Sequence, residues 1–160
     1  MSVEVVEYDD AWPARFTAEA DQIRAALGPE LRRIDHVGST SVPGLAAKPI
    51  IDIALSVESF ETLDIEALEA LGYRYVREYD ELLPNRRHFS KQCYHLHAYE
   101  QEHEEFLDYV RFRDYLRTHE EDRDAYGALK LRLAQDHERA DYQDAKSAFV
   151  ARLVEMLRRA

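Results

Sequence analysis

The feature that most constrains the fold is the segment HVGSTSVPGLAAKPIIDIAL, residues 36–55. One strand candidate, residues 31–37, ends at Val37, and Gly38 then allows the backbone to turn where a side chain would clash. A second strand candidate, residues 48–57, is rich in β-branched residues and carries Asp52 on the same face as Ala54. A carboxylate among apolar neighbours costs free energy unless it is paired or binds a metal ion. The segment is therefore either a simple corner between two strands or part of a binding site.

The residues between the two strands are typical of a phosphate site. Ser39, Thr40 and Ser41 offer hydroxyls and successive backbone N–H groups, which form an anion site if a helical turn begins there. Lys48 can bring a positive charge back over that turn. We therefore expect phosphate or nucleotide binding by Gly38, Ser39, Thr40, Ser41 and Lys48.

Length and composition predict one globular domain in a cytoplasmic protein. The chain has 160 residues, 46% of them hydrophobic, with no apolar run near the roughly 20 residues of a membrane helix and an acidic N-terminus unlike a signal peptide. Cys93 is the only cysteine, which excludes an intrachain disulfide and a zinc site built on several thiolates. A formal net charge of −11 argues against bulk nucleic-acid binding.

Periodicity predicts an α/β first part and a helical last part. Helix patterns cover residues 9–27 and 59–73, the second capped by Ser59 or Thr62, and short strands are expected at 3–8, 73–79, 86–92 and 93–100. Three helix patterns follow at 104–119, 120–137 and 141–157. We therefore expect a single domain, 1–160, with an α/β core at 1–101 and a helical part at 102–160. In the last helix one apolar stripe is predicted to pack on the core: Tyr142, Ala145, Phe149, Leu153 and Met156.

The spacing from the Gly-Ser turn to Asp52 resembles the signature of the nucleotidyltransferase superfamily, the polymerase-β-like fold. In that superfamily the turn holds nucleotide phosphates, and two acids two residues apart on the next strand hold magnesium, often with a third acid on a later strand. This chain has Asp52 at the first acidic position but Ala54 at the second. Because two-metal phosphoryl transfer needs several carboxylates, a lone aspartate is a poor metal site.

Motifs along most of the chain are similar to the GrpB family. They are YDDAWPARF, HVGSTSVPGLAAKPIIDI, YHLHAYE, FRDYLRTH and YGALK, which lie between Tyr8 and about Lys146. The resemblance implies a nucleotidyltransferase-like mixed β-sheet flanked by helices, with a C-terminal helical subdomain. It also implies a relationship to the domain that some bacteria fuse to the C-terminal end of dephospho-CoA kinase.

His95 and His97 are candidate metal ligands. In a strand they share a face with Cys93 and Tyr99, and in a nucleotidyltransferase-like sheet this strand would lie beside that of Asp52. Asp52, His95 and His97 could then hold one divalent ion, Mg²⁺ or Mn²⁺, or Zn²⁺ or Ni²⁺ if the histidines ligate. The alternative is two histidines that are hydrogen-bonded in a polar face of the sheet.

Further polar residues carry weaker predictions. Arg87 and Arg113 are candidate phosphate contacts, with a solvated strand edge and salt bridging, respectively, as the alternatives. His36 is predicted to orient the Gly-Ser turn. Tyr126, Lys130 and Lys146 can face the same cleft, but the sequence does not decide it.

Three functions are compatible with these residues. The first is nucleotidyl transfer, with Asp52 as the catalytic metal-binding residue. The second is a catalytically inactive module that binds a nucleotide or another phosphorylated small molecule and assists a partner or its folding. The third is a metal-dependent hydrolase built on Asp52, His95 and His97. A homo-oligomer is compatible with each of them.

Overall fold

The centre of the molecule is a five-stranded mixed sheet with helices on both faces. A computed structural model describes residues 4–136 and 139–159. The sheet order is β1-β2-β5-β4-β3, in which β2 and β5 are parallel and the other neighbours are antiparallel. This architecture confirms the predicted mixed sheet flanked by helices. The strands are β1 (Leu31–Val37), β2 (Ile51–Val57), β3 (Arg74–Tyr75), β4 (Arg86–Lys91) and β5 (Tyr94–Glu100).

Six helices surround the sheet in the described ranges. Three of them lie in the first part of the chain, and the other three follow β5, where helical periodicity was expected. Helix α4 begins at an N-cap, His103, whose ring nitrogen accepts a hydrogen bond from the Glu105 backbone N–H. The helices are α1 (Trp12–Leu27), α2 (Ile65–Ala70), α3 (Tyr79–Leu82), α4 (Glu104–Thr118), α5 (Glu120–Asp136) and α6 (Arg139–Arg159).

Four predicted elements are shorter than the sequence pattern suggests. Helix α2 begins only after Asp64, whose carboxylate accepts a hydrogen bond from the Ala67 N–H, while Thr62 instead donates to Glu30. The strand expected at 73–79 is reduced to β3, because the chain turns into α3 at residue 79. The strand expected at 3–8 amounts, over its described residues, to a single bridge between Val6 and Ala47. Strand β5 begins after Cys93, which has a φ of 70° in the turn before it.

One face of the sheet is apolar and forms the main core. Alternate residues of β2, among them Ile53 and Leu55, are fully buried there against Trp12 and Ile23 of α1 and Leu68 of α2. Each such side chain contributes about 1.5–3 kcal/mol through removal from water. Helices α1 and α2 thereby hold this face of the sheet closed.

The opposite face is polar and is covered by the C-terminal helices. Phe106 and Val110 of α4 pack against Ala54 and Tyr99 on this face. Helices α5 and α6 pack on α4 and on the segment that follows the Gly-Ser turn, where Tyr126 stacks on Phe149 at 4.8 Å. The polar face therefore lies beneath the helical part of the chain.

The apolar stripe predicted for α6 is placed in part. Phe149 and Leu153 pack against the cluster around Tyr126, together with Val150 and Val154. Met156 does not, because 44% of its surface is exposed. The side chains of Tyr142 and Ala145 lie outside the described part of the chain.

No described helix combines the length and the apolar character that a membrane span requires.

Candidate functional site

Asp52 and His97 form the centre of the polar face. The parallel register of β2 and β5 puts Asp52 opposite His95 and Ala54 opposite His97. His97 Nε2 lies 3.0 Å from Asp52 Oδ1, and His95 Nδ1 lies 3.8 Å from the same oxygen. The prediction that these two strands are neighbours is confirmed, and both imidazoles lie beside the carboxylate.

The pKa of Asp52 is lower than that of an ordinary aspartate. Burial alone would raise it, but the hydrogen bond from His97 and the nearby charges of His97, His95 and Lys146 outweigh burial. The carboxylate is therefore ionised at neutral pH. It can accept hydrogen bonds or hold a cation, and it is a poor proton donor.

Gly38 packs directly against this carboxylate. Its φ is 72°, and a Cβ atom at this position would lie 2.7 Å from Asp52 Oδ2. Both the backbone conformation and the lack of a side chain are therefore required here. The Gly-Ser turn closes one side of the Asp52 site.

Two of the three turn hydroxyls are used inside the turn. Thr40 Oγ1 donates to the Ile50 carbonyl and lies 3.0 Å from His36 Nε2. Ser41 Oγ donates to the Gly38 carbonyl at 2.5 Å. Ser39 is only partly buried, and its hydroxyl makes no hydrogen bond to another described residue. Of the three predicted hydroxyls, Ser39 is the one left to contact a ligand.

His36 lies on the far side of the sheet and supports the turn from below. Its ring stacks on Phe16 with centroids 4.9 Å apart, and its Nε2 contacts Thr40. Burial, with the charge of Arg117, lowers its pKa to about 4, so the ring is neutral at pH 7. These contacts fit the predicted structural role.

Lysines gather above Asp52. Lys130 of α5 is 1% exposed, and its Nζ lies 4.6 Å from the centroid of the Tyr126 ring. It makes no ion pair or hydrogen bond with the rest of the described chain. Its pKa is well below the ordinary value because of burial and the positive charges of Lys146 and Lys48, which the opposite charge of Asp52 only partly offsets.

Lys146 of α6 belongs to the same group. Burial lowers its pKa, and the charge of Asp52 acts in the opposite direction. Three of the four lysines in the chain, Lys48, Lys130 and Lys146, are therefore within electrostatic range of one another or of Asp52. Of these, only Lys48 was predicted from the sequence to contact phosphate.

A third histidine joins the site from β4. His88 pairs with His97 in the register of β4 and β5, and its ring centroid lies 5.1 Å from that of His97 and 5.2 Å from that of His95. Burial and the neighbouring charges of His97, His95 and Arg86 lower the pKa of His88 to about 3. The Nδ1 atoms of His88 and His97 are buried without a hydrogen-bond partner in the described chain. Three imidazoles, those of His88, His95 and His97, therefore cluster beside Asp52.

The metal prediction for Asp52, His95 and His97 stays a prediction. Within the described ranges no group of three or more His, Cys, Asp or Glu side chains could hold a metal ion. The nearest arrangement is the Asp52 carboxylate with its two imidazole neighbours.

Arg87 and Arg113 are not brought to Asp52. Arg87 pairs with Ala98 on the apolar side of the sheet, and its guanidinium lies 4.2 Å from the centroid of the Phe60 ring. Arg113 lies at the edge of the polar face, where its guanidinium donates to Asp35 at 2.8 Å and to the His36 carbonyl at 3.2 Å. It therefore braces α4 against β1, which is the salt-bridging alternative.

Arg86, not Arg87, is the β4 arginine that shares the face of His88 and His97. Its register partner is Tyr99, and its guanidinium donates to the Tyr109 hydroxyl at 2.9 Å. The Tyr109 ring in turn stacks on His97 with centroids 5.2 Å apart. Side chains alternate along a strand, so the sequence already places Arg86 on the same face as His88, two residues away, and Arg87 on the opposite face.

The unusual position of Lys130 can also be recognised in the sequence. It lies four residues after Tyr126 and three before Leu133, and all three are buried on one side of α5. A lysine inside an apolar helical stripe is rare without a partner. That position, rather than the number of lysines, points to a role in the cleft.

The chain is similar over nearly its whole length to one protein family. The sequence model of that family, described as GrpB protein, matches residues 2–156. A UPF0157 protein of Halalkalibacterium halodurans is 42% identical over 158 residues, which cover 96% of this chain and 81% of that protein. A protein described as glutamate-rich protein GrpB, from Alkalihalophilus pseudofirmus, is 28% identical over 159 residues, covering 91% of this chain and 90% of that protein.

A solved structure and a longer protein complete the comparison. The crystal structure of the conserved protein GrpB from Enterococcus faecalis matches with a TM-score of 0.89 and 36% identity, over 96% of each chain. A dephospho-CoA kinase of Mycolicibacterium paratuberculosis is 42% identical over 76 residues, which are 44% of this chain and 19% of that protein.

Proposed function

Because the chain belongs to the GrpB family and gathers three lysines near a single ionised aspartate, we propose that it binds a phosphorylated small molecule at Asp52. The phosphates lie against Lys48, Lys130 and Lys146, with Ser39 as a hydroxyl contact. A nucleotide is the first class of ligand to test, because the Gly-Ser turn resembles the phosphate-binding turn of nucleotidyltransferases.

The single observation that carries this proposal is the burial of Lys130. An ammonium group that is 1% exposed and has no acidic partner in the described chain is costly to keep charged. Among the described residues whose charges act on Lys130, Asp52 is acidic and Lys48 and Lys146 are basic, while the whole chain has a net charge of −11. A bound phosphate would supply the missing counter-charge.

Nucleotidyl transfer is the finer form of the proposal. Asp52 would hold the metal ion or orient the attacking group, and His97, which is hydrogen-bonded to Asp52, would fix the orientation of that carboxylate. Position 54 is an alanine, so the chain offers fewer carboxylates than two-metal transfer uses. Binding without transfer, as an accessory module related to the dephospho-CoA kinase extension, therefore stands beside transfer. A cytoplasmic location also stays a prediction.

Metal-dependent hydrolysis is a second candidate, favoured by the distances of 3.0 and 3.8 Å from Asp52 Oδ1 to the two imidazoles. Two imidazoles and one carboxylate suit Zn²⁺ or Ni²⁺ better than Mg²⁺. In that function Asp52, His95 and His97 would hold the ion, and the lysines would bind the phosphate of the substrate.

Thermal unfolding with a ligand panel separates these functions. A ligand that binds only the folded chain raises the midpoint of unfolding. The proposal expects nucleoside triphosphates to raise it in the wild type and in Arg132→Met, and to raise it much less in Lys130→Met. Arg132 is the matched control because it lies on the same helix, carries the same charge and is exposed.

The same panel tests the alternatives. A response to Zn²⁺, Ni²⁺ or Mn²⁺ without any response to phosphorylated compounds would favour the hydrolase. Incorporation of the labelled nucleotidyl group of a triphosphate into an acceptor, lost in Asp52→Asn, would establish transfer, whereas release of the free nucleotide alone would indicate hydrolysis. No response of the wild type to any phosphorylated compound would contradict the proposal.

A further inference from the structure

Arg86 is a second positive group on the polar face, separate from the lysines. It is partly buried, and none of the ion pairs in the described chain includes it. Within the described chain its Nε is buried without a hydrogen-bond partner, and its neighbours are the hydroxyls of Tyr109 and Tyr99. Of the five N–H donors of the guanidinium, the Nε–H at least is therefore unused among the described residues.

The sheet register fixes how far Arg86 is from Asp52. Arg86 pairs with Tyr99 and Asp52 pairs with His95, four residues apart along β5. Strand β5 separates β4 from β2, so the backbones at Arg86 and Asp52 are about 13 Å apart along the strands and about 10 Å apart across them. The backbones of Asp52 and Arg86 therefore lie at different ends of the polar face.

The histidine cluster lies between these two positive groups. The charge of Arg86 helps to lower the pKa of His88, which places the guanidinium near that ring. His88 in turn contacts His97 and His95, and these contact Asp52. The three imidazoles thus lie between Asp52 and Arg86 on the polar face.

Resting on the proposed phosphate site, we infer that Arg86 forms a second anion subsite and that the ligand carries two separate anionic groups, one for each end of the polar face. The lysines bind one group, and Arg86 binds the other with its free N–H donors. The chemical class is an extended polyphosphate or a molecule with two separated phosphates, not a simple monophosphate.

The competing explanation is structural. Arg86 donates to Tyr109, and Tyr109 stacks on His97, so the arginine could only hold α4 in place. In that case its removal would change stability, and it would change the affinity for short and long ligands equally.

Isothermal titration calorimetry with a length series of inorganic phosphates tests the inference. Orthophosphate, pyrophosphate, tripolyphosphate and hexapolyphosphate are titrated in the presence of EDTA into the wild type, Arg86→Gln, Lys130→Met and Arg87→Gln. Arg87→Gln is the matched control, since the neighbouring arginine faces the other side of the sheet. The unfolding midpoint of each variant is recorded without ligand, so that effects on stability are separated from effects on binding.

The inference expects wild-type affinity to rise steeply once the chain can reach both subsites. Arg86→Gln should lower hexapolyphosphate affinity about tenfold and pyrophosphate affinity by less than about twofold. Lys130→Met should weaken both, and Arg87→Gln neither.

The opposite outcomes are distinct. An Arg86→Gln variant that binds every length as the wild type does, or weakens all lengths equally, overturns the second subsite and leaves the proposed function standing. A wild type that binds none of the series overturns both.

Discussion

Ala54 of β2 lies directly opposite His97 of β5, and the His97 imidazole reaches from there to hydrogen-bond Asp52 at 3.0 Å. The methyl group of Ala54 is fully buried beside it. A longer side chain at position 54 would compete with the imidazole for the same space. Position 54, where the resemblance to nucleotidyltransferases would place a second acid, thus lies beside a histidine of the neighbouring strand.

Enlarging Ala54 should disrupt this pair. Ala54→Val is expected to cost about 1–3 kcal/mol in overpacking. It should also raise the pKa of Asp52, because displacement of His97 removes the hydrogen bond that lowers it. Carboxyl-carbon NMR titration measures this pKa directly. Ala54→Gly, which keeps the space open, should leave the Asp52 titration close to that of the wild type, and an unchanged titration in Ala54→Val would contradict the coupling.

Gly38 should tolerate no side chain, because of Asp52. Gly38→Ala and Gly28→Ala both place an alanine at positive φ, 72° and 58° respectively, which costs about 1–3 kcal/mol in each case. Only at Gly38 would the new Cβ also meet a carboxylate, whereas at Gly28 nothing lies within 4 Å. Urea unfolding should therefore show a larger loss of stability for Gly38→Ala. Equal losses of stability in the two variants would mean that the Gly-Ser turn does not pack closely against Asp52.

Removing the Lys130 charge should stabilise the ligand-free protein. Lys130→Met keeps the length of the side chain and removes a buried charge, so the free energy of unfolding at pH 7 should rise by about 1 kcal/mol or more. The folded pKa of Lys130 is below the unfolded value of 10.5, so the folded state binds fewer protons between those values. The free energy of unfolding of the wild type should therefore increase relative to that of the variant as the pH rises from 7 towards 10. A variant that is less stable than the wild type at pH 7 would show that the ammonium has a partner.

His36 should make the fold sensitive to acid. Its pKa is about 4 in the folded chain and 6.5 in the unfolded one, so the unfolded state binds more protons between these values. Stability is therefore lost as pH falls below 6.5, by about 2 kcal/mol from pH 7 to 4.5 for this group. His36→Gln, which keeps a donor towards Thr40, should remove that part of the loss in urea unfolding at the two pH values. Thr40→Val keeps the titrating ring and should retain the slope, and an identical slope in His36→Gln would contradict the assignment.

Local patterns in the sequence predict much of the fold. Hydrophobic periodicity and the glycine and proline positions predict the limits of β1, those of β5 to within one residue, and the helices after residue 102. The pairing of the His95 strand with that of Asp52 came from the family resemblance, because no local pattern sets which strands are neighbours. Residues 73–79 were wrongly extended as a strand, since β3 pairs with β4 over two residues only.

The site was predictable from the sheet and less so from the helices. Alternation places Asp52, His95 and His97 on defined faces, and the same rule favours Arg86 over Arg87. Lys130 and Lys146 reach the site because α5 and α6 pack on the segment that follows the Gly-Ser turn. The contact is close: a Cβ atom added at Gly127 of α5 would lie only 3.3 Å from the Leu45 side chain. That packing joins residues about 80 positions apart, and a single sequence carries no direct signal for it.

Calorimetric titration of a nucleoside triphosphate into wild type, Lys130→Met and Arg132→Met tests the central claim most directly. The claim that the lysines near Asp52 form a phosphate site predicts binding to the wild type and to Arg132→Met, and a loss of affinity of about tenfold or more in Lys130→Met. Equal affinity in all three proteins would contradict it, as would a wild type that binds no triphosphate.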